Sequence, residues 1–299
     1  MVKNEISELK QRINNLYIEH PAVTRIWNRF DSMRSDLMTT DPGYEIEPRH
    51  IFVMGDSGVG KTQIATRYKK RNTGYIHVDE EGTEIDICPV VNVKLPYPFT
   101  QLEFFQKILT ALGAPIFKYN PRVGEVKRRA LELLQKQRVE LLILDETNFI
   151  VTTTRISNVE GMEQLKDLSN IGLCLACFGT PLINQLRLMD DQYKSRFENE
   201  MIRRFELNDD FCDFLQSVEE QIEPPYSIGL GDSGTLLPEL IHLWTEGTPR
   251  KIHKLIREVY RIVGVMDLTC SNLSEAKITL DTLKKAKDRV LAEHENVVM

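Results

Sequence analysis

The stretch HIFVMGDSGVGKTQIATRYKKR, residues 50–71, decides the fold, because it contains the complete pattern G-x-x-x-x-G-K-[ST] at residues 55–62. An apolar run that predicts a strand precedes the pattern, and a run that predicts a helix follows it. The glycines let backbone N–H groups surround phosphates, and the start of the helix adds the positive end of its dipole. The pattern predicts a nucleotide-binding loop formed by Gly55, Asp56, Ser57, Gly58, Val59, Gly60, Lys61 and Thr62.

Two side chains of this loop have distinct chemical roles. The ammonium group of Lys61 is expected to contact the β- and γ-phosphates, and the hydroxyl of Thr62 is expected to ligate Mg²⁺. Both residues stand at the start of the predicted helix, which is the position the motif requires. The sequence therefore predicts ATP and Mg²⁺ as ligands.

The second motif is LLILDE at residues 141–146, an apolar strand that ends in two acidic residues. Asp145 at the tip of the strand can reach the metal ion, and Glu146 can polarise an attacking water. Two acidic residues at this place favour ATP hydrolysis over nucleotide binding alone. The alternative is that the pair caps a helix, since Thr147 and Asn148 follow.

Strand and helix patterns alternate through the middle of the chain. Uniformly apolar strands are typical of a parallel sheet that is buried on both faces, and the alternation predicts a doubly wound α/β domain. Strands are predicted at 50–55, 75–78, 89–93, 141–145 and 172–179, and helices at 100–113, 122–138 and 159–169.

The pattern divides the chain into three segments. Residues 1–45 are predicted to form a helical segment, residues 46–207 a P-loop ATPase core, and residues 208–299 a small all-helical lid with four helices. The fold class is thus α/β, with a parallel sheet sandwiched by helices and helical segments on either side in sequence.

Composition excludes several classes of protein. Of the 299 residues, 41% are hydrophobic and 27% are charged, which is typical of a globular protein. No apolar run is long enough to span a membrane, and the start MVKNEISELKQR has no apolar region, so we expect a cytoplasmic protein without a signal peptide. The net charge of −6 does not indicate DNA binding, although a local basic strip would suffice.

Cys174 and Cys177 lie in an apolar strand, which favours reduced, buried thiols over a metal site.

Taken together, the P-loop, the apolar strand ending in Asp-Glu, a polar residue at the end of the next strand and a helical lid resemble an AAA+ ATPase. The resemblance implies that Thr180 senses the γ-phosphate, although this residue could instead cap the helix predicted to begin at Pro181. It also implies that Arg250, at the start of a lid helix, reaches the nucleotide.

The stretch around residues 194–207 resembles the segment in which AAA+ initiators carry an arginine finger, the residue that completes the site of the neighbouring subunit. Arg196 fits this position best. Arg203 and Arg204 are the other candidates.

The finer pattern is similar to transposon-encoded AAA+ regulators of the TnsC/TniB type. The similarity covers roughly residues 15–265 and rests on GDSGVGKT, VELLILDET, LACFGTPLINQL and RFENEMIRRFEL. It implies a protein that uses ATP to oligomerise on duplex DNA as a ring or helical filament, is directed by a target-selection protein, and recruits and activates a transposase. Hydrolysis would then disassemble the oligomer. DETN replaces the commoner DEAD or DEAH sequence of the family at 145–148.

The same resemblance implies which loops contact DNA. Such contacts would be made to the phosphate backbone and would be sensitive to salt but not to sequence. The candidate residues are Thr100, Gln101, Lys118, Asn120 and Arg122. Lys127, Arg128 and Arg129 are interpreted as a solvated helix face.

A replication initiator or helicase-loader ATPase remains the alternative, because it shares every nucleotide motif. Such a protein should carry a DNA-reading helix-turn-helix or a partner-binding tail, and no convincing DNA-reading helix follows residue 208.

Overall fold

The computed structural model describes residues 2–38, 47–115, 117, 121–267 and 277–295. Lys118 and Asn120 lie outside this described part of the chain. The chain forms two compact units: one contains residues 21–57 and 61–202, and the other contains residues 1–20, 58–60 and 203–299. We call them the α/β unit and the helical unit.

The α/β unit is built on a five-stranded sheet in the order β4-β5-β6-β1-β7, and every neighbouring pair is parallel. A separate antiparallel ribbon consists of β2 and β3. The strands are β1 (His50–Gly55), β2 (Tyr75–Val78), β3 (Glu84–Ile87), β4 (Val90–Lys94), β5 (Leu141–Asp145), β6 (Cys174–Gly179) and β7 (Phe197–Ile202). The predicted parallel α/β sheet is therefore confirmed.

Helices connect the strands and form the helical unit. A short 3₁₀ turn, Pro181–Ile183, follows β6. The helices are α1 (Val2–Asn14), α2 (Ala22–Met38), α3 (Lys61–Arg71), α4 (Gln101–Ala111), α5 (Val123–Lys136), α6 (Asn148–Thr152), α7 (Asn158–Ser169), α8 (Asn184–Arg187), α9 (Asp191–Arg196), α10 (Asp209–Ile222), α11 (Leu237–Thr245), α12 (Pro249–Ile262) and α13 (Leu280–Glu295).

The central strands are fully buried because helices cover both faces of the sheet. Every residue of β1, β5 and β6 is buried. One face packs Leu142 and Leu144 against apolar side chains of α4, α5 and α7, in a core that includes Phe105 and Val126. Helices α2 and α3, which belong to the same unit, also contact strands of this sheet. This arrangement leaves the ends of the strands as the places where polar groups can collect.

The helical unit has its own core. Leu9 and Ile13 of α1 pack with Phe211 and Leu215 of α10 and with Ile256 of α12. The four helical stretches predicted after residue 208 are present as α10–α13. No helix within the described ranges is long and apolar enough to cross a membrane.

Several features differ from the sequence prediction, and one is the strand β7, which is not among the five predicted strands. The strand β3 was not predicted, because its alternating pattern covers only the four residues EIDI. In the structure it pairs with β2. Helix α5 presents a less solvated face than expected, since Lys127 pairs with Asp167 and lies over the ring of Phe105.

The cysteines Cys174 and Cys177 are buried and unpaired, as expected. Burial raises the pKa of the Cys174 thiol to about 12, and burial also raises the pKa of Cys177. Both thiols are therefore protonated near neutral pH and chemically inert.

Candidate nucleotide site

The loop between β1 and α3 has the backbone geometry that the phosphate-binding pattern requires. Gly58 and Gly60 have φ values of +91° and +99°, which side chains with a Cβ rarely adopt. Val59 between them is buried, with 1% of its side chain exposed, and anchors the loop. The ammonium group of Lys61 donates hydrogen bonds to the carbonyl oxygens of Gly55 and Asp56, at 2.7 and 2.8 Å. The lysine is thus held over the loop itself.

A hydrogen bond joins the two sequence motifs. The hydroxyl of Thr62 donates to Oδ2 of Asp145 at 2.7 Å, although 83 residues separate them. Asp145 is 4% exposed at the carboxyl end of β5, and its Oδ1 accepts the backbone N–H of Glu146 at 2.9 Å. The structure therefore brings together the hydroxyl and the carboxylate that were expected to hold Mg²⁺.

The carboxylates of this motif do not act as helix caps. Thr147 occupies the cap position of the short helix α6, and no side-chain hydrogen bond caps that helix. Glu146 itself has φ = +59°, an unfavourable backbone conformation for a residue with a side chain. Strained backbone conformations of this kind are common at functional sites. Here the conformation sets the direction in which the Glu146 side chain leaves the end of β5.

The strand register places Thr180 at the same edge of the sheet. Met54 of β1 aligns with Gly179 of β6, so Thr180 follows at the level of Gly55, the first residue of the loop. Thr180 occupies the cap position of the 3₁₀ turn, but its side chain makes no capping hydrogen bond. The hydroxyl is therefore not committed to the capping role that was the alternative.

Within the helical unit, the start of α12 contacts the loop glycine Gly58. The backbone N–H of Arg250 donates to the carbonyl of Gly58 at 3.1 Å. A Cβ added at Gly58 would lie 2.9 Å from Thr248 Cγ2 and 3.1 Å from Arg250 Cβ. Only glycine fits there, and the predicted sensor arginine Arg250 contacts Gly58 of the sequence motif.

The three candidate arginine fingers lie in different surroundings. Arg196 ends α9 directly before β7, and His50 at the start of β1 aligns with Phe197 at the start of β7. Arg196 thus lies at the amino end of these strands, whereas the loop follows their carboxyl end. Six residues of β1 span about 17 Å, which is farther than an arginine side chain reaches.

Arg203 and Arg204 follow β7 at its other end, because Ile202 aligns with Gly55. The guanidinium of Arg204 pairs with Glu246, which also pairs with Lys251 at 2.7 Å. Arg204 is therefore engaged in an ion-pair network. Arg196 is the candidate that lies too far from the nucleotide-binding loop of its own chain to contact it.

The side chains at the carboxyl edge of the sheet fit a nucleotide with Mg²⁺. The hydroxyl of Thr62 and the carboxylate of Asp145 are hard oxygen donors, which Mg²⁺ prefers. No cluster of three or more metal-ligating side chains occurs in the described ranges. A cation held here would consequently take most of its ligands from phosphates and water, as Mg²⁺ commonly does.

The expected DNA-contacting residues that the structure describes lie at one end of a helix pair. The side chain of Gln137, just after α5, donates to the carbonyl of Leu112, just after α4, at 3.0 Å. The carboxyl ends of α4 and α5 are therefore adjacent, so the two helices run in the same direction. Their amino ends carry Thr100, Gln101 and Arg122. Thr100 caps α4 by accepting the N–H of Glu103 at 3.3 Å.

Sequence reasoning missed two residues at these places. Glu47 pairs with Arg196, with Oε1 and Nε 2.5 Å apart, and a loop glutamate carries no sequence signal for such a contact. Asn148 has a buried side-chain oxygen that finds no hydrogen-bond partner in the described part of the chain. This oxygen lies 3.2 Å from the position of a Cβ on Gly179, next to Thr180. The sequence signal for Asn148 was its position in DETN at 145–148, where the family more commonly has DEAD or DEAH.

Comparisons with known proteins identify the family. The family described as bacterial TniB protein matches residues 9–207, about two thirds of the chain. No curated protein sequence matches the chain. Among solved structures, the Orc2 protein of Aeropyrum pernix in its ADPNP-ADP complexes is 15% identical with a TM-score of 0.62, over 94% of this chain and 71% of that one.

Two further solved structures share the fold. The Aeropyrum pernix Orc1 protein, solved in complex with DNA, is 16% identical with a TM-score of 0.60, over 91% of this chain and 66% of that one. Cdc6p from Pyrobaculum aerophilum is 14% identical with a TM-score of 0.60, over 94% of this chain and 70% of that one. The family match and the shared fold agree with the joined nucleotide motifs. The chain therefore belongs to the TniB family, and it shares its fold with these Orc1, Orc2 and Cdc6p structures.

Proposed function

We propose that this protein binds ATP, oligomerises on duplex DNA, and recruits and activates a transposase at a target site, with ATP hydrolysis driving disassembly. The hydrogen bond between Thr62 and Asp145 carries the nucleotide part of the proposal, because it brings both halves of the phosphate and metal site together. Membership of the TniB family supports the transposition part.

Different residues of the chain have different roles at the site. The loop amides of residues 55–62 and the ammonium of Lys61 bind the phosphates, and Lys61 exchanges its two loop carbonyl partners for phosphate oxygens. Thr62 and Asp145 would hold Mg²⁺, which would neutralise charge that develops on the phosphates. Glu146 accepts a proton from the attacking water, and Thr180 and Arg250 contact the nucleotide.

The position of Arg196 supports the oligomerisation part of the proposal. Because this residue lies at the opposite end of β1 from its own loop, it stabilises transition-state charge only in a neighbouring subunit. Each active site is then completed by two copies of the chain, which makes hydrolysis depend on assembly.

DNA binding is assigned to the amino ends of α4 and α5. Two parallel helices direct the positive ends of their dipoles to the same side, where they favour phosphate groups. Gln101 and the exposed Arg122 add polar and charged contacts there. The Orc1 neighbour was solved in complex with DNA, which supports this assignment for a protein of the same fold. Lys118 and Asn120 remain candidates from sequence alone.

Electron microscopy of the full chain with duplex DNA tests the proposal. We expect rings or helical filaments with a non-hydrolysable ATP analogue and free chains with ADP. Lys61→Ala should form neither, while Lys69→Ala, a lysine substitution near the end of the same helix α3, should assemble normally. Failure of the wild-type chain to assemble on DNA with the ATP analogue would contradict the proposal.

A further inference from the structure

The ribbon formed by β2 and β3 lies outside the five-stranded sheet as a separate two-stranded sheet. Its turn is fixed by Asp79, whose Oδ1 accepts the backbone N–H groups of Glu81 and Thr83 at 3.0 and 2.8 Å. The backbone N–H of Asp79 in turn donates to the carbonyl of Thr83 at 3.1 Å. The ribbon is thus organised before any partner binds.

One face of the ribbon exposes apolar side chains beside acidic ones. Ile76 and Val78 are 60% and 56% exposed and point to the same side, because alternate residues of a strand share a face. The register places Asp86 opposite Ile76 and Glu84 opposite Val78. The face therefore consists of an apolar row and an adjacent acidic row.

The charge of the ribbon is uncompensated. Residues 75–87 contain five acidic residues and neither lysine nor arginine. Asp79 is engaged in the turn, whereas the other four form no ion pair within the described part of the chain. These four residues are Glu80, Glu81, Glu84 and Asp86. Ile76 and Val78 are exposed and take no part in the core, and an exposed apolar row beside acidic side chains indicates a binding surface.

We propose that this face, defined by Ile76, Val78, Glu84 and Asp86, docks a segment of another protein that presents apolar side chains together with lysine or arginine. Complementary charge selects and steers the partner, and burial of the two apolar side chains supplies affinity. The phosphate backbone of DNA is repelled by the same carboxylates. The inference does not rest on the ATP or DNA activities proposed above, because no residue of the ribbon belongs to either site.

Peptide binding to the full chain tests the proposal. The probe is a fluorescein-labelled peptide of about 12 residues in which leucines are flanked by lysines, and binding is followed by fluorescence anisotropy at physiological salt. We expect the affinity to fall about tenfold in Ile76→Ser/Val78→Ser and in Glu84→Lys/Asp86→Lys. Versions of the peptide with serine for leucine, or glutamate for lysine, should also bind about tenfold more weakly.

Matched variants elsewhere control for general stickiness. Leu243→Ser removes another exposed apolar side chain, 71% exposed on α11, and Asp213→Lys/Glu220→Lys makes the same charge change on α10. Both should leave peptide affinity unchanged, and circular dichroism should show every variant folded. Equal losses in the control and ribbon variants would overturn the proposal.

Two further measurements address other occupants of the face. Sedimentation velocity should give the same self-association for the wild type and Ile76→Ser/Val78→Ser, and loss of association in the variant would assign the face to a second copy. Duplex binding by Ile76→Ser/Val78→Ser should be retained, and its loss would assign the face to nucleic acid. Either of these losses would overturn the proposal of a basic protein partner.

Discussion

Arg196 and Glu47 form an ion pair at the amino ends of β7 and β1, with Nε and Oε1 2.5 Å apart. The arginine side chain is 32% exposed and the glutamate 61%, so the pair is accessible to solvent and contributes little to folding stability. If Arg196 acts on the nucleotide of a neighbour, it must first leave Glu47. The pair therefore opposes the active arrangement in an isolated chain.

We expect Arg196→Ala and Glu47→Gln to have opposite effects on ATP turnover. Arg196→Ala should lower turnover by about 100-fold or more while retaining nucleotide binding, because only the transition-state contact is lost. Glu47→Gln should raise turnover several-fold at protein concentrations below full assembly, since it removes the competing partner. Steady-state phosphate release across a range of protein concentrations measures both effects.

A mixing experiment separates a contact in trans from one in cis. Arg196→Ala and Lys61→Ala chains are each expected to have little or no activity, but a mixed interface pairs one intact loop with one intact arginine. Turnover in the mixture should exceed that of either variant alone. If Glu47→Gln lowers turnover as much as Arg196→Ala does, Glu47 instead positions the arginine for catalysis.

Glu146→Gln should separate nucleotide binding from hydrolysis. The amide keeps the shape of the side chain but cannot accept the proton of the attacking water, so turnover should fall by about 100-fold or more. Nucleotide affinity should stay within a few-fold of the wild type, and oligomers should persist on DNA. Phosphate release and fluorescent-nucleotide binding measure the two properties, with the exposed Glu132→Gln on α5 as the control. Wild-type turnover in Glu146→Gln would place the catalytic base elsewhere.

Stability should fall in mild acid because of His50. This residue is fully buried, its Nδ1 accepts the N–H of Leu175 at 3.1 Å, and its Nε2 donates to Ser169 at 2.7 Å. Desolvation and the positive charge of Arg196 lower its pKa to about 3, so the folded chain holds the neutral form.

The unfolded chain binds this proton near the ordinary histidine pKa of about 6.5, so the contribution is present above that pH and is lost as the pH falls towards 3. Between pH 7 and pH 5 the loss is about 2 kcal/mol. Urea unfolding at both pH values should show this drop in the wild type and a smaller one in His50→Gln. The pKa of His253 is also lowered by burial, but this residue is present in both proteins and cancels in the comparison. Equal drops would show that His50 is not the titrating group.

The nucleotide motifs were predictable because their function depends on local sequence. Residues 55–62 require glycines at fixed positions, and β5 must be apolar up to Asp145 because it is buried on both sides. Parallel pairing then brings the carboxyl ends of the strands together without further information. The bond between Thr62 and Asp145 follows from that geometry.

Other features depend on contacts between distant segments and leave no local pattern. Glu47 meets Arg196 only because β1 and β7 are neighbours, which their separation in sequence does not reveal. The strand β3 is stable only when paired with β2. The partly buried position of Lys127 likewise depends on Asp167, 40 residues away.

Arg122→Ala should weaken DNA binding equally on unrelated duplexes. The exposed guanidinium stands at the amino end of α5, where it can contact a phosphate, and a phosphate contact does not depend on the base sequence. Loss of one phosphate contact should make the slope of log affinity against log salt shallower by about one. Arg128→Ala on the same helix, whose side chain is 75% exposed and pairs with Glu132, removes an equal charge and should leave the slope unchanged.

Fluorescence anisotropy with two duplexes of unrelated sequence, titrated over salt with the ATP analogue present, measures these slopes. If Arg128→Ala lowers the slope as Arg122→Ala does, binding responds to overall charge and not to the amino ends of α4 and α5. A strong preference of the wild type for one duplex would instead favour a replication initiator.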